Sequence, residues 1–95
     1  MYYVYVLVEQ QTGEKYVGFS SDLKQRVAAH KSGIGAKLTS NGKWHLAYYE
    51  AYVSRKDAIA RERKLKHYGN ARTHLFARMQ YSIDCVKISA GGCGH

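Results

Sequence analysis

The stretch YVGFSSDLKQRVAAH, residues 16–30, places an arginine and a histidine four positions apart, just past a Tyr-Val-Gly. At helical spacing Arg26 and His30 stack on one face, a cationic fork beside an imidazole. An exposed pair on an amphipathic helix is the plainer reading of the same spacing. Glu62 is the second group of interest. It is flanked by Arg61, Arg63, Lys64 and Lys66, with Arg55 and Lys56 a turn or two earlier. A lone carboxylate in a basic field stays ionised and can hold a hard divalent cation, with phosphate oxygens and water completing the shell. An ordinary surface ion pair is the alternative, and it would contribute little. Asp22 and Glu50 are rival carboxylates. Asp22 reads better as a helix cap, and the role of Glu50 depends on which face of its strand it occupies. Tyr5 and Tyr16 supply phenols on two successive strands. Beside a metal or an arginine a phenol loses its proton more easily and can act as a general base.

These groups need elements to position them. Tyr2 to Glu9 is rich in tyrosine and valine and reads as a strand. Gln11-Thr12-Gly13 is turn chemistry, and Lys15 to Phe19 resumes the strand pattern, which makes a hairpin. Ser20, Ser21 and Asp22 suit a helix N-cap, and Leu23 and Val27 in the following helix face the core. A polar, glycine-bearing loop is expected from Ile34 to Lys43. Trp44 to Val53 returns to strand character. Ser54-Arg55-Lys56-Asp57 resembles a capping box for the helix that carries Glu62. Gly69-Asn70 reads as its stop, and Ala71 to about Gln80 as one further short helix. The order β-β-α-β-α-α predicts an α+β domain, a three-stranded, mainly antiparallel sheet flanked by helices. The domain is expected over residues 1–82, with a flexible C-terminal tail at 83–95.

Bulk properties narrow the function. The chain has 95 residues, enough for one modest core, and carries 15 Lys plus Arg against 7 Asp plus Glu, a formal charge of +8. Such an excess favours a polyanionic partner through counterion release. Nine tyrosines add faces on which bases can stack, although most suit strands in any case. The apolar opening MYYVYVLV is too short to span a bilayer and lacks the marks of a signal peptide, so a cytoplasmic location without membrane association is expected. Cys85, Cys93 and His95 offer three soft ligands, one short of a structural zinc site, and His45, His67 and His74 have no ligand spacing. No Walker-type glycine loop and no serine nucleophile elbow is present.

In their order and spacing these pieces resemble the GIY-YIG nuclease superfamily, in particular its small single-domain members. Tyr3-Val4-Tyr5 stands where that family has Gly-Ile-Tyr, and Tyr16-Val17-Gly18 where it has Tyr-Ile-Gly. Asp22 to Arg26 with His30 matches the family's first helix, and Ala58 to Lys66 the helix that bears its glutamate. The resemblance implies a metal-dependent endonuclease that hydrolyses phosphodiesters in DNA or RNA, with branched or damaged DNA and DNA repair as candidate contexts. By position it makes Glu62 the ligand of Mg²⁺ or Mn²⁺ and Arg26 the phosphate clamp. Tyr5 or Tyr16 would activate the attacking water, with His30 assisting the proton transfer. Gly18, Lys24 and Arg61 are expected beside the substrate, Gly18 by letting the backbone turn tightly there. Two departures stand out: Tyr3 replaces the first glycine, and no additional DNA-binding domain is evident. The basic surface would then hold the substrate, or a protein partner would select the target. A nucleic-acid-binding module with a vestigial, non-cleaving site is the alternative, and a protein-interaction domain is a third reading.

Overall fold

The computed structural model describes residues 1–31 and 43–88, with the side chains of His30, Lys31 and Ile88 outside that description. The expected loop from Ile34 lies outside the described residues up to residue 42, leaving only Lys43 within them, and so does the segment 89–95 with Cys93 and His95. Three strands, β1 (Tyr2–Glu9), β2 (Lys15–Ser20) and β3 (Trp44–Tyr52), form one antiparallel sheet in the order β2-β1-β3. Four helices accompany it: α1 (Leu23–Lys31), α2 (Arg55–His67), α3 (Gly69–Arg78) and α4 (Gln80–Ile88).

The central strand explains the architecture. Val4 to Val8 are all buried, so β1 must be covered on both faces. Its even residues Val4, Val6 and Val8 pack with Val17 of β2, with Ala58, Leu65, Leu75 and Ile83 of the three later helices, and with Met79 at the α3–α4 junction. Its odd residues Tyr5 and Leu7 pack with Trp44, Tyr16, Leu23, Val27 and Leu46, so α1 covers the other face. The period-two alternation of a strand thus sends two residue sets to two different cores. In the β1–β3 ladder Val6 faces Tyr48 and Leu7 faces Leu46, which leaves Ala47 as the extra residue of a bulge.

Local chemistry sets the turns and helix starts. The hairpin closes over the carboxylate of Glu9, which accepts from the amides of Gln11 and Thr12 and, from across the fold, that of Lys43 (3.0 Å). Those amides hold the Glu9 carboxyl below its ordinary value. Gly13 takes a φ of +77°, which a residue with a side chain rarely adopts. Asp22 caps α1, its Oδ1 accepting from the Gln25 amide at 3.1 Å, and Ser54 caps α2, its hydroxyl accepting from the Asp57 amide at 3.4 Å.

Two expectations change. Gly69 does not end α2 as a left-handed cap. Tyr68 is the junction, its amide still bonded to the Lys64 carbonyl, and Gly69 opens α3. The domain also continues past residue 82. Ile83 is 3% exposed within α4, so at least this part of the expected tail belongs to the core. No helix among the described residues is long and apolar enough to cross a membrane.

Candidate active site

Tyr5 is the point where the site converges. Its ring lies 6.4 Å from that of Tyr16, tilted by 41°. Its phenol also feels the charges of Arg26 on α1 and Glu62 on α2. Charged groups from both helices therefore lie within electrostatic reach of the Tyr5 phenol, with the Tyr16 ring beside it. Burial is the main reason that the Tyr5 phenol is much harder to ionise than an ordinary tyrosine; Tyr16 and Glu62 add to the effect, and Arg26 opposes it. Tyr16 is only half-buried, whereas Tyr5 is 2% exposed.

Gly18 has a different role from the one expected of it. It sits inside β2, paired in register with Tyr5, and its φ is not in the left-handed region. Its function is clearance. A Cβ built there would lie 2.4 Å from both Cζ and Oη of Tyr5 and 2.9 Å from Cε2. Only a residue without a side chain lets the phenol lie across β2 at this position.

Glu62 has a side chain 21% exposed and pairs with Lys66, one turn later, at 3.3 Å. The Lys66 ammonium also stands over the Tyr16 ring, 5.8 Å from its centroid. Lys66 thus links the carboxylate to the phenols, a role that the i, i+4 spacing from Glu62 hinted at. No cluster of three or more His, Cys, Asp or Glu side chains suited to a metal occurs among the described residues. A single half-buried carboxylate is a poor set for zinc but fits Mg²⁺, which keeps most of its waters and takes one or two carboxylates plus phosphate oxygens.

Arg61 does not join this site. Its Nε donates to Glu50 Oε1 at 3.0 Å and its Nη2 to Oε2 at 3.1 Å, a two-pronged ion pair to β3. Glu50 also accepts from the hydroxyls of Tyr48 and Tyr52. Burial disfavours the Glu50 charge, but the guanidinium and the two phenols outweigh it and hold the carboxyl below its ordinary value. Burial and the bond to Glu50 push Tyr52 up to about 12 against the opposing charge of Arg61, and the bond to Glu50 raises Arg61. The Tyr-x-Glu-x-Tyr alternation of residues 48–52 was the available signal, since residues two apart in a strand share a face. With Asp22 committed to its cap and Glu50 to this network, Glu62 is the carboxylate left beside the phenols. His30 follows Arg26 by one turn of α1, and Lys24 is exposed near the start of that helix.

Two open grooves flank the phenols. One, about 440 Å³, is lined by Lys15, Tyr16, Lys66, Arg72 and Phe76 among others. The other, about 510 Å³, runs between the start of α1 and β3 and includes Tyr3, Asp22, Lys24 and Tyr49.

A small antiparallel sheet that presents paired phenols and a glycine to an arginine helix and a glutamate helix is the arrangement of a nuclease-type catalytic domain. Residues 1–75 match the GIY-YIG catalytic domain, and the chain belongs to that family. It is similar to a UPF0213 protein of Lacticaseibacillus paracasei, 40% identical over 76 residues, covering 79% of this chain and 84% of that protein. A UPF0213 protein of Staphylococcus aureus is 37% identical over 68 residues, covering 70% of this chain and 82% of that one. Among solved structures, the UPF0213 protein BH0048 of Bacillus halodurans, determined by solution NMR, aligns with a TM-score of 0.53 at 28% identity, covering 95% of this chain and all of that one.

Proposed function

We propose that this protein is a divalent-metal-dependent endonuclease that hydrolyses phosphodiesters in DNA. The Tyr16 ring beside that of Tyr5, with Arg26 and Glu62 within electrostatic reach of the same phenol, is the observation that carries the reading. Glu62 would hold Mg²⁺ or Mn²⁺, which when bound supplies positive charge to the phosphate oxygens. Arg26 faces the same phosphate with a planar fork that can engage two oxygens. The two tyrosines take different roles. Burial keeps the proton on Tyr5, which suits it to donate a hydrogen bond and hold the others in place. Tyr16, with access to solvent, would first pass its phenol proton to His30. As phenolate it would then take a proton from the incoming water while the water oxygen bonds to phosphorus, the bond to the sugar oxygen breaks, and that leaving oxygen takes a proton from solvent. His30 is assigned the onward proton transfer from its place one turn after Arg26. The groove of Lys15, Lys66 and Arg72 would track the neighbouring phosphates.

Plasmid, branched DNA and RNA incubated with Mg²⁺ or Mn²⁺ test the reading. DNA cleavage that falls at least about a hundredfold in Glu62→Gln and in Arg26→Ala, with unchanged thermal unfolding, supports it. Intact substrates under every cation would sink it. A binding module that does not cut is the competing reading, favoured by the ammonium of Lys66 resting on Glu62. It predicts salt-dependent affinity that survives Glu62→Gln and no cleavage at all.

A further inference from the structure

The groove between the start of α1 and β3 lies on the same face of the sheet as the phenols. Tyr49 stands directly opposite Tyr5 in the β1–β3 register, and Tyr3 precedes Tyr5 by two residues. Their side chains are therefore its neighbours, at the spacings of facing and next-but-one strand positions. Yet Tyr5 is buried while Tyr49 is 54% exposed. The rings of Tyr3 and Tyr49 meet edge to face, with centroids 6.0 Å apart and planes at 67°. In such a pair at least one ring keeps both broad faces uncovered by its partner. Leu23, Val27 and Leu46 add apolar lining, and Asp22 and Lys24 bring one charge of each sign.

We infer that this groove receives an unpaired nucleobase next to the scissile phosphate, stacked on Tyr49. The inference rests on the nuclease reading and deepens it by naming the substrate class. Its chemistry separates it from the other groove, where Lys15, Lys66 and Arg72 suit phosphate oxygens. Here the Asp22 carboxylate repels phosphate but can accept from the exocyclic amine of a base. Its Oδ1 already takes the Gln25 amide, and a carboxylate offers about four acceptor positions. The volume, about 510 Å³, suits a nucleotide-sized group. A base inside a duplex has both faces stacked and cannot enter, whereas one at a bulge, flap or junction can. Stacking on an aromatic ring tolerates any base, so the groove reads unpairing more than sequence.

The test uses two DNA duplexes that differ in one position, an unpaired or a paired 2-aminopurine, titrated with the full chain in EDTA. The expected result is binding about tenfold tighter to the unpaired form, with quenching of its fluorescence as the ring stacks. Tyr49→Ala should erase the preference and the quenching, and Tyr49→Phe should keep both. Equal binding of the two duplexes overturns the inference. So does a preference that survives Tyr49→Ala, or one that Tyr49→Phe loses equally. The same duplexes incubated with Mg²⁺ separate the two readings. Cleavage without preference refutes the base groove alone, and preference without cleavage refutes the nuclease reading and leaves the groove standing.

Discussion

Replacing Gly18 with alanine should do measurable harm through one contact. The new methyl carbon would sit 2.4 Å from Cζ and Oη of Tyr5, where ordinary contact begins at 3.4 Å. The ring must then retreat by the difference, about 1 Å, in a close-packed site. Tyr5 is 2% exposed and packs in the cluster of Leu7, Trp44, Leu23 and Val27, so little room exists for it. Overpacking of this kind costs about 1–3 kcal/mol, and the lower chain entropy of alanine returns roughly 0.5–1 kcal/mol. A net loss of about 1–2 kcal/mol lowers Tm by roughly 5–15 °C in a domain of this size. Thermal unfolding of Gly18→Ala in the native and Tyr5→Leu backgrounds measures the effect. With the ring gone the added methyl meets no phenol, so the cost should vanish, a coupling of about 1–2 kcal/mol. Equal cost in both backgrounds, or none in the native one, would refute the clearance argument. The catalytic arm is sharper still, because displacing a site group by about 1 Å can cost about a hundredfold in rate.

Other expectations follow from the ion pairs. Glu50→Gln weakens a carboxylate that holds Arg61, Tyr48 and Tyr52, and because the pair is partly exposed the loss should be about 1–3 kcal/mol by urea unfolding. Glu9 and Glu50 both lie below their ordinary values in the folded chain, so the stability they contribute is complete above the unfolded pKa of about 4.3 and drains away as pH falls through their folded values. Tm should be flat from pH 7 to about 5 and drop below that, and Glu50→Gln should make the acid limb shallower. Lys66→Met removes a surface pair, so its effect on stability should stay within about 1 kcal/mol. It should nevertheless tighten Mn²⁺ binding, seen by calorimetry or paramagnetic broadening, because the ammonium no longer competes for Glu62.

Much of this protein was legible in its residues alone. Strand alternation, the turn at Gly13 and the caps at Asp22 and Ser54 depend on short-range chemistry, and they fixed the order of the first elements. The tripeptides around Tyr5 and Tyr16, with Arg26, His30 and Glu62 at their spacings, carried the family. Three features were beyond the reach of sequence because they depend on contacts between distant segments. Arg61 and Glu62 are adjacent in the chain, but a helix turns neighbours by about 100°, so one grips Glu50 on β3 while the other reaches the phenols. Gly18 resembles a turn residue by type, yet only the β1–β2 register shows that the Tyr5 ring needs its missing side chain. The burial that separates Tyr5 from Tyr16 is likewise a property of packing, since Tyr5 lies on the central strand and Tyr16 on an edge strand of the sheet. Local sequence chose the groups, and the tertiary fold decided which of them share a dielectric and a charge.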